Sequence, residues 1–452
     1  MKTTSLLECL RDLLTAAALA LADPRPRRKF VHLGLGLLCA PKPKTITSAL
    51  EWLDQRQQDW SADYRLFSQA HWETQMAFAP VLTQALGHCS CGTQRVYFGQ
   101  DDTLLRKASR KIPGTTYARD PLSPPFQVNL VLGQRFVQTS LLLQPGGAAH
   151  PWRALPVSFS PAPTPKLPKQ ASPQEQAAFK EARKKHRLSL VALEQLRFCR
   201  HYLDSQPGGR QRWLMDVVDG GYSNRTFLAG LPERTQAVAR VRKDAKFRAY
   251  LPPDQRQGAR KYGSDLPTPL QCLQDPNLPW QSLEVFVAGQ VRTLHYKEVP
   301  LLCWPKVTQD RRMRLILIKA PGYRLRKGRK LLYREPAFLI TTDLTTPAGE
   351  LIAAYLARWE VEVNFRDEKT LLGVGQAQVR HAQSVARAPA FLVAAYSMLL
   401  WSNIRVFGDR RTEDFERLPA WRNTASARPS TRDLVRLLQR QAQETDLNQM
   451  RN

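Results

Sequence analysis

A chain of 452 residues with 43% hydrophobic content is long enough for two or three domains around a substantial core, which excludes a disordered polyelectrolyte. Lys and Arg number 67 against 39 Asp and Glu, a formal charge of +28, with basic runs at 25–29 (RPRRK), 311–314 (RRMR) and 324–330 (RLRKGRK). That field attracts a polyanion; an anionic membrane surface or a merely basic protein would fit it, but ten Trp and twelve Tyr beside the bases put nucleic acid first.

In chain order, residues 1–87 read as short helices broken at PRPRR and at PKPK (41–44), with apolar positions at helical spacing in SALEWLDQ and YRLFSQAHWE. A helical DNA-binding module over 1–90 and a packed helical appendage both fit. The apolar run 13–22 follows Glu8, Arg11 and Asp12 where a signal peptide would be basic, so it reads as an amphipathic helix. Seven scattered cysteines argue against a disulfide framework and for a reducing compartment. His88, Cys89 and Cys91 form a short HCSC cluster without a second pair at a finger-like distance, which favours a structural or incidental role over zinc.

From Thr93 the period changes. RVYFGQ (95–100) reads as a strand and 127–143 as a hairpin turning near Gly133, followed by a Pro-rich loop at 161–169. A long helix is expected from Ser172 to about Asp204, then a buried strand at 212–218, a short helix at 223–231 and a strand at 235–241. Residues 243–344 are basic, Pro-punctuated and strand-like, and read as a β-rich insertion between a first core segment (91–242) and a second (345–408). The apolar stretch Pro389 to Trp401 is too short to span a bilayer and reads as a core helix. A charged tail from 409 to 452 carries one further amphipathic helix around Asp433 to Gln441.

Three carboxylates stand at chemically interesting places. Asp101 lies at the end of the first strand in QDDT, Asp219 follows a buried strand in VVDGGYSN, and Glu362 falls on a late helix. Carboxylates at strand ends suit hard cations, although an Asp before Thr or Gly is also an ordinary turn or cap residue. Around Glu362 the chain reads YLARWEVEVNFRDEK, and Tyr355, Arg358, Glu362 and Lys369 return to one helix face. One acid among bases suggests a metal ligand beside bound phosphates; a solvated, salt-bridged face is the simpler alternative.

With these residues the chain resembles the DDE transposases of bacterial insertion sequences, in the branch marked by Y-(2)-R-(3)-E-(6)-K and a β-rich insertion. The spacing matches without a gap, and the resemblance covers about residues 93–405. It implies a multidomain α/β fold: an RNase H-like core interrupted by a mostly β insertion, with an α-helical N-terminal region. It further implies a DNA transposase that makes metal-dependent cuts at inverted-repeat ends and transfers the strand to target DNA.

In that reading Asp101 bridges two Mg²⁺ ions, for which Mn²⁺ can substitute, and Asp219 and Glu362 each hold one. Asp101 is preferred to Asp102 because the pattern is Asp-x-Thr. Water cuts first, and the freed 3′-hydroxyl is the next nucleophile. Tyr355, Arg358 and Lys369 grip DNA phosphates, with Arg366 a weaker candidate. Trp280 or Trp304 is a candidate to stack on a flipped base, and both also fit a core role. The implied partners are double-stranded DNA with terminal inverted repeats, target DNA and a second copy in a synaptic homodimer; no membrane is implied, and the implied location is the bacterial cytoplasm and nucleoid. Two other readings keep much of this pattern: another RNase H-like DNA nuclease without end specificity, and a catalytically inactive DNA-binding relative.

Overall fold

The computed structural model describes residues 4–88, 94–120, 123–124, 126–147, 150–168, 170–287, 290–323, 332–333, 335–419 and 428–445. Cys89, Cys91 and the basic run 324–330 lie outside them. The chain opens with helices α1 (Leu6–Ala18), α2 (Arg27–Cys39), α3 (Ile46–Trp52), α4 (Ser61–Ser68) and α5 (Ala79–His88). Strands β1 (Arg95–Arg106), β2 (Thr116–Arg119), β3 (Leu130–Leu143) and β4 (Arg153–Pro161) follow, then α6 (Pro173–Lys185), α7 (Leu188–Ser205), β5 (Trp213–Val218), α8 (Arg225–Leu228) and β6 (Thr235–Arg240). Next come β7 (Arg248–Ala249), α9 (Pro269–Gln274), β8 (Gln281–Val287), β9 (Gln290–Cys303), α10 (Pro305–Thr308), β10 (Met313–Ile318), β11 (Gly322–Tyr323), β12 (Leu332–Tyr333) and β13 (Ala337–Thr341). Helices α11 (Ala348–Ala357), α12 (Trp359–Thr370), α13 (Ser384–Phe407) and α14 (Thr431–Glu444) complete the chain.

One eleven-stranded sheet organises the molecule, in the order β2-β3-β1-β5-β6-β13-β10-β9-β7, with β4 also on β3 and β8 on β9. β1 is antiparallel to β3 and parallel to β5, and β5 is parallel to β6. The fully buried β10 joins antiparallel to β13, which pairs with β6. Within residues 243–344, β7, β8, β9, β10 and β13 extend this central sheet, while β11 and β12 pair with each other in a separate two-stranded one.

Four local expectations change. Strand β1 does not stop at Gln100 but runs on to Arg106, because β3 continues to pair with it beyond the point where β5 ends. The stretch 127–143 does not turn at Gly133, since β3 runs straight through it, paired there with Thr116 on one side and Arg106 on the other. A Cβ at Gly133 would lie 2.7 Å from the Leu105 carbonyl oxygen, so the glycine permits close strand approach rather than a reversal. The helix expected from Ser172 to Asp204 is two helices, with His186 closing α6 and extended Arg187 opening α7. The late helix is also divided: Arg358 is at once the C-cap of α11 and the N-cap of α12.

The N-terminal helices wrap α13. Phe391 of α13 meets Phe30 at 4.7 Å and Phe67 at 5.3 Å between ring centroids, each nearly edge-on. In α1 the apolar run buries one face (Leu6, Leu10, Leu13, Leu14, Ala17), as an amphipathic helix should. Helix α13 is long and apolar enough to cross a membrane, yet 83% of its apolar window is buried inside the protein, where it serves as the core helix.

The C-terminal stretch folds back on the body. Arg153 of β4 and Asp409 form a buried ion pair at 2.5 Å, to which Asn403 of α13 adds a 2.7 Å hydrogen bond. Asp409 has φ +58°, which asparagine tolerates well. Asp409→Asn should thus remove the charge without a backbone penalty and leave Arg153 buried and uncompensated. A loss of about 3–5 kcal/mol in urea unfolding is expected; a loss below about 1 kcal/mol would show that the pair contributes little.

Candidate active site

The register of two parallel strands brings the first two acids together. Gln100 of β1 lies opposite Val218, the last residue of β5, so Asp101 and Asp219 each follow that pair on adjacent strands. Beyond β5 a tight turn starts at once, with Asp219 accepting a 2.6 Å hydrogen bond from the Gly221 N–H.

Helix α12 supplies the third acid. It packs on β1 where Gly99 leaves room: a Cβ there would sit 3.3 Å from Val361 of the helix. Gly99 and Asp101 share a strand face by the two-residue period, so Asp101 points toward this helix and Asp102 away from it. Asp102 instead pairs with Arg135 at 2.9 Å.

Arg358 ties the acids of strand and helix. Its Nη1 donates to Asp101 Oδ2 at 2.6 Å and its Nη2 to Glu362 Oε1 at 3.0 Å, with only 12% of the side chain exposed. Lodged at the joint of α11 and α12, it can reach both a strand and its own helix. The phosphate-gripping Arg358 of the sequence reading is thus engaged with carboxylates in this structure.

Burial sets the electrostatics. It pushes the Asp101 carboxyl up to about 7, against the pull of Arg358 and with a further push from Asp219. Burial also opposes charge on Arg358, but Asp101 and Glu362 more than offset it and raise its pKa. Tyr355 of α11 is raised by burial in the company of Arg358, Arg240, Asp219 and Glu362, which places its ring among the site residues. Lys369, in the last turn of α12, lies 5.8 Å over the Phe365 ring and is lowered by burial, with Glu368, Arg106 and Asp102 as its charged neighbours. Arg366 is spent on Asp367 at 2.8 Å.

Among the described residues no group of three His, Cys, Asp or Glu closes on one point able to hold a metal. The donor set nevertheless suits a hard cation: three carboxylates, with no sulfur or nitrogen among them. Two acids are held apart by the arginine between them.

The tryptophans separate. Trp280 is 43% exposed, but Lys297 and Lys319 lie 4.5 and 5.4 Å from its ring centroid. Trp304 packs edge-on to Phe247 at 5.2 Å and lines a cleft of about 880 Å³ that also holds Asp219, Arg240 and Lys243. Sequence reasoning passed over Tyr222, whose buried hydroxyl has no hydrogen-bond partner among the described residues and whose pKa burial drives far up, with Asp102, Asp101 and Asp219 adding to it. The string DGGY contained it, but nothing there told that its ring turns inward.

A family model described as a DDE superfamily endonuclease matches residues 18–299. The chain belongs to this family. The match spans Asp101 and Asp219 and ends before Glu362, whose assignment therefore rests on the Y-R-E-K spacing and on its shared arginine. No curated protein matches the chain significantly. The family is one of DNA-cleaving enzymes and implies a DNA substrate, and its members generally use divalent metal ions.

On the same helix, buried Glu368 is pushed up to about 8 by burial, with Gln138 and Lys369 pulling it down and Asp367 pushing it up. The folded protein holds this proton between about pH 4.5 and 8 while the unfolded chain releases it, so stability contributed here falls as pH rises through that window and is constant above it. Glu368→Gln should flatten this part of the pH–stability curve and stabilise the protein above pH 8. Equal slopes for the two proteins in denaturant titrations from pH 5 to 9 would refute the assignment.

Proposed function

We propose that the protein is a DNA transposase of the insertion-sequence type, which cuts at terminal inverted repeats and joins the freed ends to target DNA. The observation that carries this reading is the approach of Asp101 and Asp219 on neighbouring strands, with Glu362 linked to Asp101 through Arg358. An RNase H-like core is supported by the order β4-β3-β1-β5-β6, antiparallel up to β1 and parallel from there on.

Asp101, Asp219 and Glu362 are the residues that would hold two Mg²⁺ or Mn²⁺ ions. When bound, such cations supply an activated oxygen nucleophile and neutralise the charge that builds up at phosphorus. Everything else falls to the chain itself. Arg358 neutralises Asp101 and Glu362 while they are free, and once they are otherwise engaged its fork is placed to take a phosphate in two hydrogen bonds. Lys369 and Tyr355 hold the backbone on either side. Asp219 keeps its orientation through the Gly221 N–H. A nucleotide leaving the end of the duplex would find the cleft beside Asp219, where Trp304 offers a stacking face and Arg240 and Lys243 offer charge. Two copies synapsing two ends complete the reading.

The test uses duplexes carrying the inverted repeats that flank the gene. With Mg²⁺ or Mn²⁺ the protein should cut at the repeat end and yield joined product. Asp101→Ala, Asp219→Ala and Glu362→Ala should each lose more than about 100-fold in cleavage, beyond what outer-shell partners of a metal usually cost. Their DNA affinity should persist, since the phosphate-neutralising bases remain. Asp102→Ala should still cut, because Asp102 serves Arg135. Activity surviving in Asp219→Ala would sink the site, and cutting that ignores the repeat and gives no joined product would leave only a nuclease.

A further inference from the structure

Helix α6 buries none of its thirteen residues. A helix of that length is marginal in water on its own, and this one rests on a capping box (Ser172, Glu175) with Pro173 in its first turn. Its sequence provides no apolar face; only Phe179 is large, apolar and half-buried.

What it carries instead is charge. Lys180, Arg183, Lys184 and Arg187 are exposed, and all four line one groove of about 630 Å³ with Leu167, Gln176, Phe179 and a single acid, Glu181. Among the described residues none of the four side chains has an ion-pair partner. Elsewhere the chain pairs its bases readily, as with Arg153, Arg200, Arg314 and Arg358. The helix also leads directly into α7, whose first turn is tied to the turn at Asp219. Arg187 opens α7, and two residues on Ser189 Oγ accepts from Asn224 Nδ2 at 2.9 Å. The same amide donates to the Gly221 carbonyl, in the turn that begins at Asp219.

We infer that this groove is a contact for the sugar-phosphate backbone of duplex DNA running away from the scissile phosphate. Four unpaired cations in one groove, attached to the turn of a catalytic acid, complement a row of phosphates. Such contacts fix the position of the duplex and read no sequence. The inference rests on the DNA-cleaving function and adds a second foothold to it.

The experiment measures affinity for a 40-bp duplex of arbitrary sequence, ~40 bp being longer than the ~16 bp that compact nucleic-acid modules cover, across a series of NaCl concentrations. Replacing Lys180, Arg183, Lys184 and Arg187 together by Gln should lower the slope of log K against log[salt] by about 2–4, near 0.9 for each phosphate no longer neutralised. Exchanging Lys for Arg and Arg for Lys at the same positions should restore it. Because α6 buries nothing, both variants should keep the wild-type melting temperature. A control removes the same number of charges elsewhere, at Arg417, Arg432, Arg436 and Arg440. A slope decrease in the α6 variant no greater than in this control would overturn the inference. Failure of the nuclease reading is visible separately, as wild-type protein that cuts no DNA with any divalent metal.

Discussion

Arg358 is the interaction on which the arrangement of this site depends. Two carboxylates from elements 257 and 4 residues away meet on its two terminal nitrogens, in a region where burial already resists charge. Two unit charges about 4 Å apart interact by roughly 4 kcal/mol at an effective dielectric of 20. Like charges left to face one another would repel, and an arginine between them turns that repulsion into a link. The division of the late helix follows from the same demand. A residue that caps one helix and opens the next can aim at a strand that a mid-helix residue on the opposite face could not reach.

The position of α12 is then secured from behind. Buried Asn364 donates to the Ala154 carbonyl of β4 at 3.0 Å, and Asp367 accepts from Thr431 of α14 at 2.7 Å. The Tyr396 hydroxyl lies 3.1 Å from Thr431, and Arg428 reaches Glu360 at 2.7 Å. The acid-bearing helix is thus held to the sheet, to the core helix and to the C-terminal arm. A reacting group misplaced by an ångström costs dearly in rate, and satisfied polar networks of this kind rigidify what they join. The stretch from 409 onward, charged in sequence, takes part in this support through Asp409, Arg428 and Thr431.

Much of the proposed site is legible because its signals are local. A strand followed by Asp-Gly-Gly, and four polar residues where an amphipathic helix would place leucines, can be read without knowing any distant contact. What was hidden was long-range. Strand β4, which carries Pro156 and Pro161, has no strand signal in the sequence; it survives because Pro156 sits at a register irregularity in its pairing with β3. Gly133 has the composition of a turn, and only the carbonyl of Leu105 across the strands reveals it as a close approach. The strands of 243–344 look like a module of their own, since nothing in AFLITTD announces that it pairs with β6. Arg358 stands out in the sequence as a candidate, but its partner Asp101 lies too far along the chain for any spacing rule.

The net charge of +28 gains meaning once its bases are placed. Many are consumed inside the fold: Arg95 on Asp343, Arg153 on Asp409, Arg200 and Arg234 on Asp204, Arg314 on Glu298. These hold elements together and are buried or half-buried, so they contribute little to an external field. The surplus that a polyanion could meet is therefore smaller than composition suggests. It includes α6, which leads into the helix tied to the Asp219 turn, the walls of the cleft by Asp219, and Lys369 in the neighbourhood of Asp102. Coulomb attraction alone would bring DNA to any basic face. A distribution that spends cations within the body and leaves others exposed on α6 and in the cleft by Asp219 is the kind that would steer a polyanion toward the proposed site.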